Sequence, residues 1–327
     1  MRKLSILISL IFSLCSLSAQ EGKSTYEYLL LPNSVRASAL GGNNISIIEN
    51  DLSLIYQNPA FLGQEMDKTI NLNYLSYIGD IGMGSATFSK AIGERSSWAI
   101  GAYYTNYGNM LETNEEGIIL GDLNASDICG QVFFSSDLTE KIRGGISTKF
   151  LHSNYAHHTS FAIGVDLGIS YYDPEKGFSL GITGKNIGRQ LKAYDEKLYG
   201  LPWDIQLGMS KRLTHAPIRF SVTAVQLKQW KMYNLTGEKD SFFTGMMKHL
   251  VFGVDVLPTD NLWLAIGYNV KRGADLKLTE GNRMAGFSLG AGLKVKSYSF
   301  GCSVAQYHPS ATSFMINISR FLGNSQL

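Results

Sequence analysis

From about residue 69 to residue 322 the side chains alternate between apolar and polar, and no other feature constrains the fold as tightly. In "SFAIGVDLGISYY" (160–172), Phe161, Ile163, Val165, Leu167, Ile169 and Tyr171 share one face. Ala162, Gly164, Asp166, Gly168 and Ser170 share the other. "IRGGISTKF" (142–150) sets Ile142, Ile146 and Phe150 against Arg143, Ser147 and Lys149. "LWLAIGYNVK" (262–271) puts Leu262, Leu264, Ile266, Tyr268 and Val270 on one side. A period of two is a strand period. About fourteen such segments follow one another, starting near residues 69, 82, 97, 126, 142, 160, 177, 203, 217, 248, 262, 284, 298 and 312. Each is near the length that crosses a bilayer when tilted.

The connections alternate in length. "GERSS" (93–97), "SDLTEK" (136–141), "DPEKG" (173–177), "LTHAP" (213–217), "LPTDN" (257–261) and "KS" (296–297) are short. Between most of them lie longer stretches at 108–125, 188–202, 228–247 and 272–283. Long loops on one side and tight turns on the other are the habit of outer-membrane barrels, whose short turns face the periplasm. The expected fold is all-β: a closed transmembrane antiparallel barrel of about fourteen strands. Closure is required because lipid offers the backbone no hydrogen bonds. Trp98, Tyr104, Trp203 and Phe314 stand near strand ends, where an interfacial aromatic girdle belongs.

The first residues read as a Sec-type secretory signal: basic "MRK", apolar "LSILISLIFSLCSL", and "SAQ" with cleavage after Ala19. A lipoprotein signal on Cys15 fits less well, because Leu14 stands where a small residue is wanted. The expected division is a signal at 1–19, a separate segment at 20–68, a barrel at 69–322 and a tail at 323–327. Of 29 basic residues, cleavage removes Arg2 and Lys3 and leaves 27 against 27 acidic ones, which speaks against a nucleic-acid partner. Cys129 and Cys302 have no metal spacing. One disulfide is open to them, but both lie inside strand segments, where packed thiols are expected.

Residues 20–68 do not alternate cleanly. "TYEYLLLPNSVRASALGG" (25–42) carries Arg36 and a Gly41-Gly42 turn, and "ISIIENDLSLIYQNPAFL" (45–62) carries Asn58-Pro59. Pro59 fixes its own φ and pushes Asn58 out of the helical region, so Asn58 can cap a helical turn starting at Pro59. A barrel this wide is not filled by its own side chains. The segment is therefore expected to enter from the periplasmic side as a plug, with an ordered periplasmic arm as the other possibility. Its motif residues are Arg36, Ala39, Leu40, Gly41, Gly42, Asn58, Pro59 and Ala60. A buried Arg36 needs an acidic partner, and lumen-facing Asp166, Asp204 and Asp255 are the candidates.

"ALGG", then "ND", then "NPA" ahead of a β-barrel resembles the FadL-type outer-membrane barrels. The ordered set "LPNSVRASALGGNNISI…ND…YQNPAFL", with the early strands "INLNYLSYIGDIGMGSATFSK" (70–90), is more similar still to the PorV/PorQ branch. That branch belongs to the type IX secretion system of Bacteroidetes, and the PorQ side is the nearer one. The motif detail covers about residues 22–90, and the architecture covers the whole mature chain. The resemblance implies a component of the cell-surface attachment complex, anchoring PorZ alongside PorU and PorV, with cargo cleavage belonging to PorU. The docking face would be the long loops. Loop 228–247 is the leading candidate through Trp230, Tyr233, Phe242, Phe243, Met246 and Met247, residue types that anchor interfaces. A FadL-like passive transporter of hydrophobic small molecules is the alternative.

Catalysis finds little support in the sequence. "HSNYAHHTS" groups His152, His157, His158 and Ser160 at an outer loop tip, where a solvated polar tip is the simpler reading. Adjacent histidines in an extended segment point apart, so a metal site is not expected. "GAGLKVK" lacks P-loop spacing. Lys149, Lys185, Lys271 and Lys294 are read as lumen-facing, most simply within internal salt-bridge networks. No cofactor, metal or enzymatic activity is expected.

Overall fold

The computed structural model describes residues 25–113, 116, 118–156, 158–195, 197–229, 240–276, 284–308 and 311–323. Signal residues Cys15 and Ala19, loop residues Trp230 and Tyr233, and His157 lie outside the described residues.

Fourteen antiparallel strands close into one barrel. They are β1 (Thr69–Ser76), β2 (Gly82–Ile92), β3 (Ser96–Asn106), β6 (Ala125–Asp137), β7 (Ile142–Tyr155), β8 (His158–Asp173), β9 (Phe178–Lys192), β10 (Asp204–Arg212), β11 (Ile218–Ala224), β12 (Leu250–Thr259), β13 (Leu262–Asn269), β14 (Phe287–Val295), β15 (Tyr298–His308) and β16 (Ala311–Phe321). The seam pairs β1 with β16, from Thr69 opposite Phe321 to Ser76 opposite Phe314. A separate hairpin, β4 (Met110–Thr113) with β5 (Ile119–Leu123), stands in the connection between β3 and β6.

The alternation decides which way each side chain points. On β1, Thr69, Asn71, Asn73 and Leu75 are buried inside, while Ile70, Leu72 and Tyr74 face out. The inward amides bond across strands: Asn71 donates to Ser319 Oγ (2.7 Å), Asn73 to Ser85 Oγ (3.1 Å) and Asn317 to Asn73 Oδ1 (2.8 Å). The outward faces carry an apolar band around the barrel, with Ile100, Val132, Ile169, Ile182, Phe220, Ile266 and Ile316 all exposed. A continuous apolar belt on a closed barrel is a lipid-facing surface, so the bilayer is this chain's environment. Residues 69 and 321 lie at the short-turn end, which the loop rule assigns to the periplasm.

Three expectations need correcting. The 108–125 connection, read as loop, contains the β4–β5 hairpin. The strand expected over 262–271 stops at Asn269. Asn269 Oδ1 accepts from Arg272 N (2.9 Å) and caps a short helix, Val270–Asp275. Lys271 is therefore not in a lumen ladder; it pairs with Asp275 one helical turn on. Lys294 does stay on the inward face of β14, in phase with Ser288, and lines the lumen at its exposed short-turn end.

Residues 25–68 lie inside the barrel as short helical turns: Glu27–Leu30, Val35–Ala39, Leu52–Tyr56, Pro59–Phe61 and Gln64–Met66. Three of them start on a side-chain cap. Ser34 Oγ accepts from Ala37 N (3.3 Å), Asp51 Oδ1 from Ser53 N (3.0 Å) and Asn58 Oδ1 from Ala60 N (3.0 Å). These side chains satisfy helix-start N–H groups that have no partner within the turn. The Val35–Ala39 helix ends as "ALGG" dictates. Gly42 N donates to Ala37 O (2.8 Å) and Gly41 N to Ser38 O (3.3 Å), with Gly41 at φ +96. That is a Schellman termination, whose left-handed residue favours glycine.

Candidate functional site

Four charges tie the N-terminal segment to the wall. Arg36 Nε and Nη2 donate to Asp255 Oδ1 at 3.2 Å. Arg219 Nε and Nη2 donate to Asp255 Oδ2 at 3.2 Å, and Arg219 Nη1 to Glu49 Oε1 at 2.6 Å. Arg36 Nη1 stands 3.7 Å from Glu49 Oε2, and its guanidinium lies over the Trp263 ring at 5.0 Å. Asp255 has no solvent exposure and Arg36 is 4% exposed. Two positive and two negative charges balance in a site where any unpaired one would be expensive.

Of the three carboxylates named as candidates for Arg36, Asp255 is the one beside it. Asp166 pairs with Lys149 at 2.9 Å and accepts from Asn186 N at 2.7 Å. Asp204 accepts from Gln226 N at 2.8 Å and Gln206 Nε2 at 3.0 Å. Lys185 is buried on the lumen side. Glu49 and Arg219 escape a reading of motifs, although one signal exists. Arg219 points inward directly opposite Asp255 in the β11–β12 register.

Backbone contacts complete the fit. A Cβ on Gly145 (β7) would land on the Pro59–Ala60 peptide. One on Gly181 (β9) would land on Ile45 O, and one on Gly267 (β13) on the Leu40–Gly41 peptide. Gly41 N donates to Ser288 Oγ and Ser288 Oγ donates to Ala39 O, both at 2.9 Å. Asn58 Nδ2 reaches Ile45 O at 3.3 Å and Ile169 O at 3.4 Å. Ala39, Leu40, Pro59 and Ala60 are thus packed against several strands at once.

Burial works to raise the Glu49 carboxyl, but the facing Arg36 and Arg219 guanidiniums outweigh it and hold the group below the usual carboxylate range. A lowered carboxylate stabilises the seated segment at pH above its ordinary value and loses that effect as pH falls through the lowered one. Amide protection factors over residues 35–50, taken relative to the intrinsic exchange rate at each pH, should accordingly fall below about pH 4 and stay flat from pH 6 to 8. A Glu49→Gln variant should remove the acid limb of that profile.

Among the described residues, a cavity lies on each side of this segment. Near the short turns a cavity of about 240 Å³ is lined by Arg36, Glu49, Asp51, Arg212, Asp260 and Lys294 among others. At the long-loop end a cavity of about 620 Å³ is lined by Tyr26, Tyr28, Tyr77, Tyr107, Tyr155 and Tyr194, with Thr25, Glu27, Leu31, Ile81, Thr105, Asp127, Ser153, His158 and Asp195. Tyr107 OH donates to Asp127 Oδ2. Tyr26 and Ser160 hydroxyls bond at 2.6 Å. The tyrosines come from five separate stretches of chain, so no local motif announces the cavity.

The histidine cluster does not assemble. His152 is exposed on the outer face of β7, Ser160 is buried on the inner face of β8, and His158 Nδ1 contacts Tyr194 O at 3.0 Å. Cys129 is buried inside and Cys302 is exposed outside, and both are free thiols. At the long-loop end, Phe242–Lys248 forms a short helix capped by Ser241 Oγ on Thr244 N (3.3 Å). Phe242 is 80% and Phe243 67% exposed, Met246 is exposed, and Met247 is half-buried.

No protein-family model matches the chain, and no curated protein matches it in sequence. Solved structures do match in fold. A TodX monoaromatic hydrocarbon channel deltaS2 mutant is similar at TM-score 0.58 and 12% identity, over 90% of this chain and 100% of that one. A CymD monoaromatic hydrocarbon channel gives TM-score 0.58 and 12% identity over 90% and 99%. A Pseudomonas aeruginosa FadL homologue gives TM-score 0.54 and 12% identity over 89% and 98%. At this identity the likeness speaks for architecture: the chain has the FadL-like fold of an outer-membrane β-barrel.

Proposed function

We infer that this chain is a plugged outer-membrane component of a type IX protein secretion system, holding a partner of the cell-surface attachment complex at its outer end. The observation that supports this reading is the seating of residues 25–66 within the barrel. Residues 25–66 sit between the two cavities, fixed by the Arg36–Asp255–Arg219–Glu49 cluster and by backbone seated on wall glycines. The outer end meanwhile displays Phe242 and Phe243 to solvent, where exposed aromatics mark an interaction surface. The sequence detail of residues 22–62 supplies the type IX assignment and, with it, PorZ as the partner, with PorU and PorV in the same complex.

A second reading is passive transport of hydrophobic small molecules. Its support is the outer cavity together with the fold neighbours, among them a TodX monoaromatic hydrocarbon channel mutant and the Pseudomonas putida toluene transporter TodX. Those comparisons favour transport over secretion. The wall does not decide between the two: β1, β2, β3, β6 and β7 are laddered without a register shift, whereas the β8–β9, β12–β13 and β15–β16 ladders are each interrupted by one or more.

Phe242→Asp with Phe243→Asp separates the two. The pair is exposed, so stability should change by no more than about 0.5 kcal/mol for each substitution. Affinity capture of the tagged protein from its own outer membrane should recover a surface β-protein with wild type and lose most of it with the variant. A wild-type protein that is captured alone, and whose deletion strain takes up hydrophobic nutrients slowly, would transfer the assignment to transport.

A further inference from the structure

The outer cavity has a chemistry that neither reading above uses. Its carboxylates are Asp127, Glu27 and Asp195, against one imidazole, His158. No Lys or Arg lines it among the described residues. Asp127 is 4% exposed; its Oδ2 accepts from Tyr107, the Ser153 hydroxyl stands beside the carboxylate, and Oδ1 has no hydrogen bond in this structure. Thr105 faces Asp127 directly across the β3–β6 ladder, and its Oγ1 is also buried and unpartnered. So is the hydroxyl of Tyr28, on the floor formed by the N-terminal segment. Three residues on three elements, each with a buried polar atom that lacks a hydrogen bond, therefore line one space. Buried polar groups are normally bonded, so such a group of exceptions calls for a ligand.

What the ligand carries follows from the walls. A buried carboxylate oxygen without a partner calls for a positive donor. Six tyrosine rings offer negative π-faces, to which an ammonium or guanidinium is drawn while its carbon body packs on the rings. An anion would meet three carboxylates, and a neutral hydrocarbon would leave Asp127 Oδ1, Thr105 Oγ1 and Tyr28 OH unbonded. We propose that the cavity beneath the outer loops is a recognition site for an organic cation. The cation is either a free amine with an apolar body or a lysine or arginine side chain of a partner. A volume of about 620 Å³ suits a group of that size and is within the range of small-ligand pockets.

The test uses the full-length protein in detergent, with intrinsic tyrosine fluorescence and calorimetry as readouts. Benzyltrimethylammonium, benzenesulfonate and toluene differ in charge on a similar frame. A short acetylated, amidated peptide containing Lys represents the second source. The cation should bind at least about tenfold tighter than either of the others, within reach of one cation–π contact plus a charge-assisted bond. Asp127→Asn should reduce cation affinity by about tenfold and leave toluene unchanged. Should that variant fail to fold, Tyr155→Leu, at a half-exposed ring, serves instead and should weaken the cation several-fold. Binding of the peptide without the free amine assigns the site to a partner's basic side chain, and the reverse assigns it to a small molecule. Toluene binding as tightly as the cation, benzenesulfonate binding more tightly, or no probe binding at all would each overturn the proposal. None of these outcomes depends on the capture experiment, so this proposal and the secretion reading fail separately.

Discussion

Asp255→Ala should unseat the plug at a cost of about 3–5 kcal/mol, the usual penalty for removing one member of a buried charge cluster. The reason lies in what is left behind. Arg36 and Arg219 both bond to Asp255, and without it two buried guanidiniums share the single, partly exposed carboxylate of Glu49. The segment then gains by leaving. Trypsin should cut after Arg36 within minutes in the variant and not in wild type, and single-channel recordings should show a new open level. A second substitution checks the cause. Arg36→Met with Asp255→Leu leaves Arg219 and Glu49 as a balanced pair at 2.6 Å, so much of the lost resistance should return. If the double variant is cut as fast as the single one, charge balance is not what seats the plug.

Gly145→Val should have an effect of similar size by a different route. The added side chain would occupy the place of the Pro59–Ala60 peptide, and backbone on both sides leaves nothing flexible to yield. Either the plug shifts or the β7–β8 wall does, and both should lower the temperature at which the barrel loses its folded migration on a gel. Gly84→Val supplies the control. It is on the outward face of β2 with nothing within 4 Å, so it should leave that temperature unchanged. Equal losses in the two variants would mean that valine harms these strands through backbone effects rather than by collision with the plug.

The wall was the legible part of this molecule, because a side-chain period of two is a local property and survives in sequence. Strand starts at 69, 82, 142, 262 and 298 are visible without coordinates for that reason. The β4–β5 hairpin was not legible: "MLETNEEGIILGDL" is short and lacks clean alternation. Lys271 misled because "GYNVK" continues the strand pattern, while Asn269 capping a helical turn overrides it. Arg36 announces that it needs a counter-charge, but its choice among acidic residues depends on which strand passes over the Val35–Ala39 helix. That is a property of closure rather than of spacing. The wall glycines looked like ordinary strand glycines for the same reason. Only the assembled lumen sets Gly267 against Gly41. The tyrosine cavity is the extreme case, its rings arriving from residue 26 to residue 194 with no pattern linking them.

The seam has a consequence for how such a molecule is made. The strand that closes the barrel is the last in the chain, pairing residues 69–76 with 314–321, and the segment that fills the lumen precedes every strand. Export from the N-terminus delivers the filling first and the closing strand last. The inward glycines, the Asp255 carboxylate and the Ser288 hydroxyl all lie later in the sequence than the segment they touch. Chain order therefore allows the wall to be laid onto its filling, without requiring a late insertion through a finished pore.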